Sequence, residues 1–497
     1  MLAIKENKAF RVGEFRYRKL DGRYLLSTTG GALLFMSAED FRRFLAGDIQ
    51  KDETIYAELA ERGFVDIDRE KLAQQAADYL KLHHTVFHGT GLYMFVLTLR
   101  CNHACSYCQI TPEKPDAQGF DMNEETARKS VDLALRTPSS ALCIEFQGGE
   151  PLLNWPVLKY VVGYALEANK RKNKNLKFSL VSNLTLMDEE KLRFLLDHNV
   201  NICCSLDGPE EIHNKNRAFL EEGGSYAHLA KHIHMIQEAI TKKREESTGA
   251  FVDNLNALTT ITRHSLPHWK EIVDEYLKFG FTSIFLRPLS PFGFERRATK
   301  NIGYEAKEFV DFYVKAMDYI LELNLRGHLF VEKNAYFVLK KILKGNDPGF
   351  LELRSPCGAG IGQMAFNPDG RIYTCDEGRM AARMGHENFR IGDVQKSEFN
   401  DLIDNNVVKT SCVSSCLESH AGCADCVYKP YCGICPVANL TKYGTIFPQM
   451  PDTDHCKIMM GIFDYLFVKA RNSSYEPIWK RWLADDAYLQ DQHSCPI

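Results

Sequence analysis

Residues 97–109, LTLRCNHACSYCQ, place three cysteines directly after an apolar run that is typical of a β-strand. Cys101, Cys105 and Cys108 follow the spacing C-x3-C-x2-C. Thiolates suit zinc, copper(I) and iron–sulfur clusters, and a tetrahedral zinc site needs four ligands, usually as two close pairs. Three thiolates on a tight loop can hold three irons of a cubane and leave the fourth open. His103 could complete a Cys3His zinc site, but four ligands would be crowded in this loop.

Six apolar segments beyond residue 90 alternate with amphipathic helical segments. Near-continuous apolar strands separated by helices indicate a parallel sheet with both faces covered. Six units favour an α/β fold with a partial (β/α)6 TIM-type barrel over a full eight-fold barrel, with the chemistry at the carboxyl ends of the strands. The strand candidates are YMFVLTLR (93–100), ALCIEFQGG (141–149), KFSLVSN (177–183), NICCSLDG (201–208), NALTTITR (256–263) and SIFLRPLS (283–290).

Changes of pattern divide the chain into five predicted regions. We expect an N-terminal α+β domain of winged-helix type over residues 1–88 and the barrel over residues 89–300. A helical linker (301–352), a loop-rich and cysteine-rich domain (353–470) and a C-terminal helix with a tail (471–497) follow. The cysteine-rich part shows little periodicity, and a loop-rich segment of that length needs staples such as bound metal in order to fold.

The N-terminal region begins with strand-like stretches that lead into helices. The stretches are FRYRKL (15–20) and YLLSTTGGALLFMS (24–37), and the second is broken by a turn at Gly30–Gly31. Ser37 is expected to cap a helix that ends at Gly47. A second helix is expected to end at Gly63.

The composition is that of an ordinary soluble globular protein, with 45% hydrophobic and 25% charged residues among 497. A net charge of -4 gives no electrostatic case for a nucleic-acid or membrane partner. No apolar run approaches the ~20 residues that span a bilayer, and the N-terminus lacks the apolar core of a signal peptide. We therefore expect a cytoplasmic protein, in which sixteen cysteines indicate metal binding or catalysis rather than disulfides.

The three cysteines after the first strand, with Tyr107 before the last one, resemble the radical S-adenosylmethionine (SAM) superfamily. The resemblance implies that Cys101, Cys105 and Cys108 hold a [4Fe–4S] cluster whose open iron chelates the amino and carboxylate groups of SAM. One electron, from an external donor of the flavodoxin or ferredoxin type, would cleave SAM. The resulting 5′-deoxyadenosyl radical would abstract hydrogen from a substrate.

Further stretches match the same superfamily by position. QGGEP (147–151) resembles its methionine-amine motif, with Glu150 accepting from the ammonium group. SNLTL (182–186) stands at the ribose-contacting strand end, although relatives usually have TNG there. SLDGPEEIHNKNR (205–217) ends in an arginine that suits the SAM carboxylate. The resemblance therefore implies these SAM-binding residues: Tyr107, Gln147, Gly148, Gly149, Glu150, Ser182, Asn183, Ser205 and Arg217.

The C-terminal cysteines permit a zinc ribbon or two, but their order resembles the SPASM extension of radical SAM enzymes. That extension carries two auxiliary [4Fe–4S] clusters, which would make three clusters in all. Its usual third spacing is C-x3-C, whereas Cys432 and Cys435 are separated by two residues. The resemblance implies an outer cluster on four of these cysteines and an inner cluster on three: Cys423, Cys426, Cys432 and Cys456 for the outer, and Cys357, Cys375 and Cys435 for the inner.

The inner set is one ligand short. Cys412 and Cys416, in SCVSSCLE, are the candidates to complete it, and we expect Cys416. The alternative is an open iron available to a substrate thiolate. Asp376 directly follows Cys375, and in sulfatase-maturating relatives an aspartate at the matching place acts as a base. A solvated ion pair formed by the neighbouring Glu377 and Arg379 is the other interpretation of these charges.

Longer stretches at 285–294, 357–380 and 423–436 resemble peptide-modifying SPASM maturases of the His-Xaa-Ser type, relatives of cyclophane- and thioether-forming enzymes. The resemblance implies a crosslinking reaction on a ribosomally made precursor peptide. The N-terminal start resembles PqqD-like elements, whose edge strand could capture a leader peptide, although a domain that merely caps the barrel is the alternative. The runner-up function is anaerobic sulfatase maturation, in which a Cys or Ser becomes formylglycine. A zinc-binding protein without turnover is the alternative outside the enzymes.

Overall fold

The structure is a computed structural model, and it describes residues 10–220, 224–246, 255–293 and 301–484. Its N-terminal part is a three-stranded antiparallel sheet followed by helices. Ser37 caps the first helix as expected, because its side chain accepts from the backbone N–H of Asp40, and Gly47 ends that helix. The elements are β1 (Arg16–Leu20), β2 (Arg23–Ser27), β3 (Leu33–Met36), α1 (Ala38–Ala46), α2 (Thr54–Glu61) and α3 (Arg69–His83).

All six expected barrel segments contain strands, with helices between them. The strands are β4 (Leu92–Thr98), β5 (His103–Cys105), β6 (Ala141–Gly148), β7 (Asn175–Ser182), β8 (Val200–Ser205), β9 (Arg217–Phe219), β10 (Leu255–Thr260), β11 (Ser283–Ile284) and β12 (Leu286–Arg287). The helices are α4 (Glu124–Ala134), α5 (Trp155–Asn169), α6 (Glu189–Asp197), α7 (Glu210–Asn216), α8 (Ser225–Glu246) and α9 (Trp269–Lys278).

The barrel strands pair in parallel in the order β4-β6-β7-β8-β10-β12, so their carboxyl ends meet at one edge. Buried residues of these strands, such as Phe146 and Ile202, share one core with helix residues such as Val161. This is an α/β fold with a mostly parallel sheet, as predicted. The sixth segment is divided, because β11 pairs with β13 (Val331–Glu332) rather than with β10.

The cysteine-rich part has more regular structure than its weak periodicity indicated. β14 (Gln363–Phe366) pairs in parallel with β4, and β15 (Arg371–Tyr373) and β16 (Arg390–Asp393) add antiparallel strands, which gives a nine-stranded sheet. The expectation of a purely loop-rich segment was wrong at these strands. The missed signal was Asp369–Gly370 between two apolar runs, which is a strong hairpin pattern.

The remaining helices follow β12 in the chain. They are α10 (Ala306–Leu325), α11 (Lys333–Lys344), α12 (Asp376–Arg383), α13 (Phe399–Ile403), α14 (Asn406–Ser415), α15 (Pro436–Tyr443), α16 (Asp454–Arg471) and α17 (Glu476–Trp482). The first two lie in the expected helical linker. The predicted tail from residue 485 onward lies outside the described residues.

The N-terminal sheet packs against the cysteine-rich part. Arg18 of β1 forms two hydrogen bonds with the carboxylate of Asp464 (3.0 and 2.8 Å). Ser27 Oγ donates to the Val427 carbonyl oxygen (2.7 Å). These contacts join β1 to Asp464 of α16 and β2 to Val427, which directly follows Cys426. The winged-helix type of this domain, and the five domain boundaries, stay predictions.

Candidate functional site

Cys101, Cys105 and Cys108 lie on the loop after β4, and all three line one cavity of about 230 Å³ at the carboxyl edge of the sheet. β5 holds the loop, because it pairs antiparallel with β9 and places Cys105 opposite Arg217. Burial raises the pKa of the Cys105 thiol to about 12, and the Arg217 cation opposes that rise. Buried thiols facing one cavity ionise when a bound cation compensates their charge, which is the chemistry of an iron–sulfur ligand set.

Gly148 and Gly149 lie directly against the backbone that leads into the cysteine loop. Gly149 N–H donates to the Thr98 carbonyl oxygen and Glu150 N–H to that of Arg100, both at 2.8 Å. A Cβ on Gly149 would stand 2.1 Å from the Arg100 oxygen, and one on Gly148 would stand 2.1 Å from the Thr98 oxygen. Both glycines also line the cavity. The absence of a side chain at both positions therefore allows β6 to approach β4 closely. It also leaves room for a ligand in the cavity.

The Glu150 carboxylate is fully buried and accepts three hydrogen bonds. The donors are Leu152 N–H (3.0 Å), Ser182 Oγ (2.9 Å) and Asn183 N–H (2.8 Å). Burial raises the pKa of this carboxyl, and the donors oppose the rise. Glu150 is not among the residues that line the cavity. Its contacts indicate that it joins the end of β6 to the end of β7, and its expected contact with the SAM ammonium stays a prediction.

Tyr107 belongs to a buried polar chain across the cavity wall. Its hydroxyl donates to Asp207 Oδ2 (2.7 Å) and accepts from Arg217 Nη1 (2.6 Å). Burial raises the pKa of the Tyr107 phenol well above its ordinary value, so the group is neutral and available as a donor. The chain fixes Arg217 beside the cysteine loop, where a guanidinium can meet a carboxylate.

The expected SAM contacts converge on the same cavity, apart from Glu150. The cavity wall also contains residues that the sequence interpretation did not select as site residues, namely Arg287, Pro288 and Met380. Arg287 directly ends β12, and its position at a strand end was the available signal. The expected residues that line the cavity are Tyr107, Gln147, Gly148, Gly149, Ser182, Asn183, Ser205 and Arg217.

Asp376 begins α12 and is tied to the barrel through Arg379. The two side chains form an ion pair (2.5 Å), and Arg379 also donates to Gln147 Oε1 (3.3 Å). Gln147 donates in turn to Glu145, whose pKa burial raises to about 8. Arg379 is only 1% exposed, so the interpretation of its charge as part of a solvated ion pair was wrong. Asp376 does not itself line the cavity, and its role as a base stays a prediction.

The four cysteines expected for the outer cluster line a second cavity of about 270 Å³. We call them the outer cysteine set: Cys423, Cys426, Cys432 and Cys456. Tyr17 and Arg18 of β1 line the same cavity, so the N-terminal sheet forms part of its wall. Burial raises the pKa of Cys423 to about 12, with the neighbouring thiols adding to the rise. Four mutually interacting thiols around one cavity fit a cubane cluster.

The three cysteines expected for the inner cluster, Cys357, Cys375 and Cys435, form the inner cysteine set and share one buried cluster of side chains. Cys375 Sγ accepts from Gly378 N–H (3.3 Å) at the start of α12. Cys435 Sγ accepts from Ala438 N–H (3.4 Å) at the start of α15. A helix N-terminus stabilises a thiolate, so these two positions suit anionic ligands.

No group of three or more His, Cys, Asp or Glu side chains in the described parts of the chain is arranged to hold a single metal ion. No helix within the same ranges is long and apolar enough to cross a membrane.

The model of the radical SAM superfamily matches residues 95–243, which contain the first cysteine loop and most of the cavity wall. Residues 95–243 are a radical SAM domain. Such a domain implies SAM and a [4Fe–4S] cluster, and the cysteine loop and cavity described above fit both.

Relatives of known name extend the similarity beyond this domain. A cysteine-type anaerobic sulfatase-maturating enzyme of Clostridium novyi (strain NT) is 24% identical over 337 residues, which are 67% of this chain and 83% of that protein. The radical SAM cyclopropyl synthase TigE of Paramaledivibacter caminithermalis is 21% identical over 395 residues, which are 76% of this chain and 74% of that protein. The chain thus contains a radical SAM domain and is similar over most of its length to maturases with such a domain.

Solved structures share the fold. Native anSMEcpe with bound AdoMet has a TM-score of 0.65 and 21% identity, and covers 78% of this chain and 100% of its own. SuiB of Streptococcus suis bound to S-adenosylmethionine has a TM-score of 0.51 and 15% identity, and covers 90% of this chain and 99% of its own. A further structure holds SuiB with its precursor peptide SuiA.

Proposed function

We propose that this radical SAM enzyme acts on a ribosomally made precursor peptide and closes an intramolecular crosslink in it, of the C–C cyclophane or thioether type. The observation that carries the proposal is an edge of the N-terminal sheet, beside a groove, with which no other strand among the described residues pairs. Bound SAM and its cluster supply the 5′-deoxyadenosyl radical, whereas the residues of the chain bind and orient the peptide.

The groove offers an extended peptide a backbone to pair with. Among the described strands β3 pairs only with β2, and the groove of about 640 Å³ lies between β3, α11 and α16. Thr28 N–H donates to the Ala32 carbonyl oxygen (3.0 Å), and the alternation of an antiparallel ladder then directs the N–H groups of Leu33 and Phe35 away from β2. Strand addition uses such groups for affinity and the adjoining pockets for specificity.

The cavity of the radical SAM domain suits the entry of one peptide side chain. Its wall joins the cysteine loop to apolar residues, Leu258 and Met380 among them, and to the cations Arg217 and Arg287. An apolar wall excludes water from a reactive radical, and the cations can hold carboxylates or peptide carbonyls in place. Closing a crosslink releases one electron and one proton beyond the abstracted hydrogen atom. The outer and inner cysteine sets would hold clusters whose chemistry is electron transfer.

Sulfatase maturation is the second candidate, because named relatives are sulfatase-maturating enzymes and an aspartate follows Cys375. A formylglycine-forming enzyme would accept a short sulfatase-motif peptide without a leader. The solved sulfatase-maturating structure is matched over its whole length and still covers only 78% of this chain. That difference supports an added module in this protein, such as one that binds a leader.

The first experiment tests the radical chemistry. The anaerobically reconstituted protein and a Cys101/Cys105/Cys108→Ala variant are compared for iron content and for reductant-dependent release of 5′-deoxyadenosine from SAM. We expect about twelve irons, falling to about eight in the variant, with deoxyadenosine release abolished. Cleavage of SAM that survives loss of the three thiolates would contradict the assignment.

The second experiment tests the peptide substrate, with small precursor peptides encoded near the gene. Phe35→Pro removes an N–H that faces the groove and leaves the ladder to β2 intact, because proline is tolerated on an edge strand. Phe35→Ala removes the same ring and keeps the N–H. We expect Phe35→Pro to raise KM for the precursor well above the value for Phe35→Ala. Equal activity of both variants on a leaderless sulfatase-motif peptide, without crosslinking of any precursor, would favour sulfatase maturation instead.

A further inference from the structure

We propose that Cys412 completes the inner cysteine set as its fourth ligand, so that the inner cluster has no iron open to a substrate thiolate. The proposal rests on the proposed function in one respect, since it takes the inner cysteine set to hold a cluster. The sequence led us to expect Cys416 as this ligand. The position of α14 favours Cys412 instead.

One face of α14 packs against the loop that contains Cys357. Val408 lies against Gly360, where an added Cβ would stand 2.6 Å from Val408 Cγ2. Ser415 Oγ accepts from the Cys357 backbone N–H (2.9 Å). Positions 408, 412 and 415 recur at helical spacing and share one face. Cys412 therefore lies on the face of α14 that contacts the Cys357 loop.

The electrostatic neighbours of the two candidate cysteines differ. The Cys357 thiol has the Cys412 thiol as an electrostatic neighbour, and the Cys412 thiol in turn has Cys416 and Arg354 as neighbours. Cys416 follows the end of α14, and its charged neighbour is Glu418. The Cys416 thiol also lies near Tyr79 of α3, which places it toward the N-terminal helices. The face of α14 that meets the Cys357 loop thus contains Cys412, whereas Cys416 lies beyond the end of that helix.

Arg354 supplies an independent observation. Its side chain is buried, with 5% of the residue exposed, and its Nε and Nη2 atoms have no hydrogen-bond partner within the described structure. The guanidinium interacts electrostatically with the Asp347 carboxylate and with the thiols of Cys357 and Cys412. Buried cationic donors without acceptors are costly, so an anionic acceptor is expected at this point. Sulfides and thiolates of a cluster held between Cys357 and Cys412 would be that acceptor.

Full ligation has a chemical consequence for the substrate. A cluster with four protein thiolates carries electrons but has no free coordination position for a substrate sulfur. A thioether-forming route that binds the substrate thiolate at this cluster is then closed. The substrate atom that loses its hydrogen and the group that then bonds to it must instead be brought together by the cavity wall alone.

The test uses Cys412→Ala, with Cys416→Ala as the matched control, each in the Cys101/Cys105/Cys108→Ala background that removes the first cluster. Reconstituted proteins are compared by iron content and by electron paramagnetic resonance of the reduced auxiliary clusters, with and without added 2-mercaptoethanol as a small thiol. We expect the parent and Cys416→Ala to hold about eight irons and to ignore the thiol. Cys412→Ala should either change its spectrum on thiol addition or lose about four irons.

Three results would overturn the proposal: a thiol response in the parent, a Cys412→Ala spectrum and iron content identical to the parent, or the expected changes in Cys416→Ala alone. Cys412→Ser separates loss of a ligand from misfolding, since a serine oxygen retains the cluster with an altered spectrum. Failure of the cluster assignment, on which the proposal rests, is recognisable separately. In that case the parent would bind no auxiliary iron at all.

Discussion

Replacing Gly149 with alanine should separate β6 from the backbone that leads into the first cysteine loop. The new Cβ would stand 2.1 Å from the Arg100 carbonyl oxygen, about 1.3 Å less than an ordinary van der Waals contact. The obstacle is backbone, which cannot rotate away as a side chain can. Two hydrogen bonds depend on this approach, those from Gly149 N–H to Thr98 and from Glu150 N–H to Arg100.

The magnitude follows from these contacts. Each lost backbone hydrogen bond costs about 1 kcal/mol, and overpacking adds about 1–3 kcal/mol, so the local free energy of opening should fall by roughly 3–5 kcal/mol. At about 1.4 kcal/mol per factor of ten, amide hydrogen exchange in residues 98–108 should accelerate by roughly 10² to 10⁴-fold. A chain of this size need not unfold in two states, so local exchange is a better measure than a single melting temperature.

Gly163 is the matched control. It lies exposed within α5, and an added Cβ would meet nothing within 4 Å. Gly163→Ala should leave exchange at residues 98–108 unchanged and stabilise the helix by up to about 1 kcal/mol. Exchange in Gly149→Ala within about threefold of wild type would refute the argument that these glycines fix the cysteine loop. A similar acceleration in Gly163→Ala would refute it equally.

Two further predictions concern charged side chains, Glu145 and Arg18. The pKa of Glu145 is about 8 in the folded protein against 4.5 ordinarily, so the stability that its neutral form contributes is full below pH 4.5 and lost as the pH rises through 8. Glu145→Gln should therefore raise the free energy of unfolding of the metal-free protein relative to wild type, increasingly from pH 5 to about pH 8 and by at most about 5 kcal/mol, and a pH-independent difference would contradict this. Arg18 lines the cavity of the outer cysteine set, and its positive charge favours the more negative reduced state of a cluster there. Arg18→Leu should lower the midpoint potential of that cluster by roughly 60 mV in a redox titration, with Arg18→Lys near wild type, and equal potentials in all three proteins would exclude the effect.

Local pattern was enough to predict the elements that carry the site. Apolar runs separated by helical segments predicted the six parallel strands, and Ser37 predicted the start of α1. The C-x3-C-x2-C spacing predicted three thiols on one loop at the carboxyl edge of the sheet. These features depend on residues close together in the chain, where periodicity and capping act directly. The same reasoning did not predict β14 and β15, although Asp369–Gly370 indicated the turn between these two strands.

Other features of the site were decided by tertiary packing. The oxygens of Glu150 accept from Ser182 and Asn183, more than thirty residues away. Tyr107 is held by Arg217 across a separation of 110 residues. The direction of a polar side chain depends on which donors the folded chain brings to it, and that information is not local.

The sequence by itself determined the superfamily, the cysteines available to it and the strand ends at which its chemistry lies. Only the tertiary structure brought Arg18 of the N-terminal sheet to the outer cysteine set and Cys412 toward Cys357. The physical reason is that spacing along the chain records which groups can share a loop or a helix face. Which loop a helix face then meets is decided by the packing of whole elements, because burial of their apolar surfaces is not tied to position in the sequence.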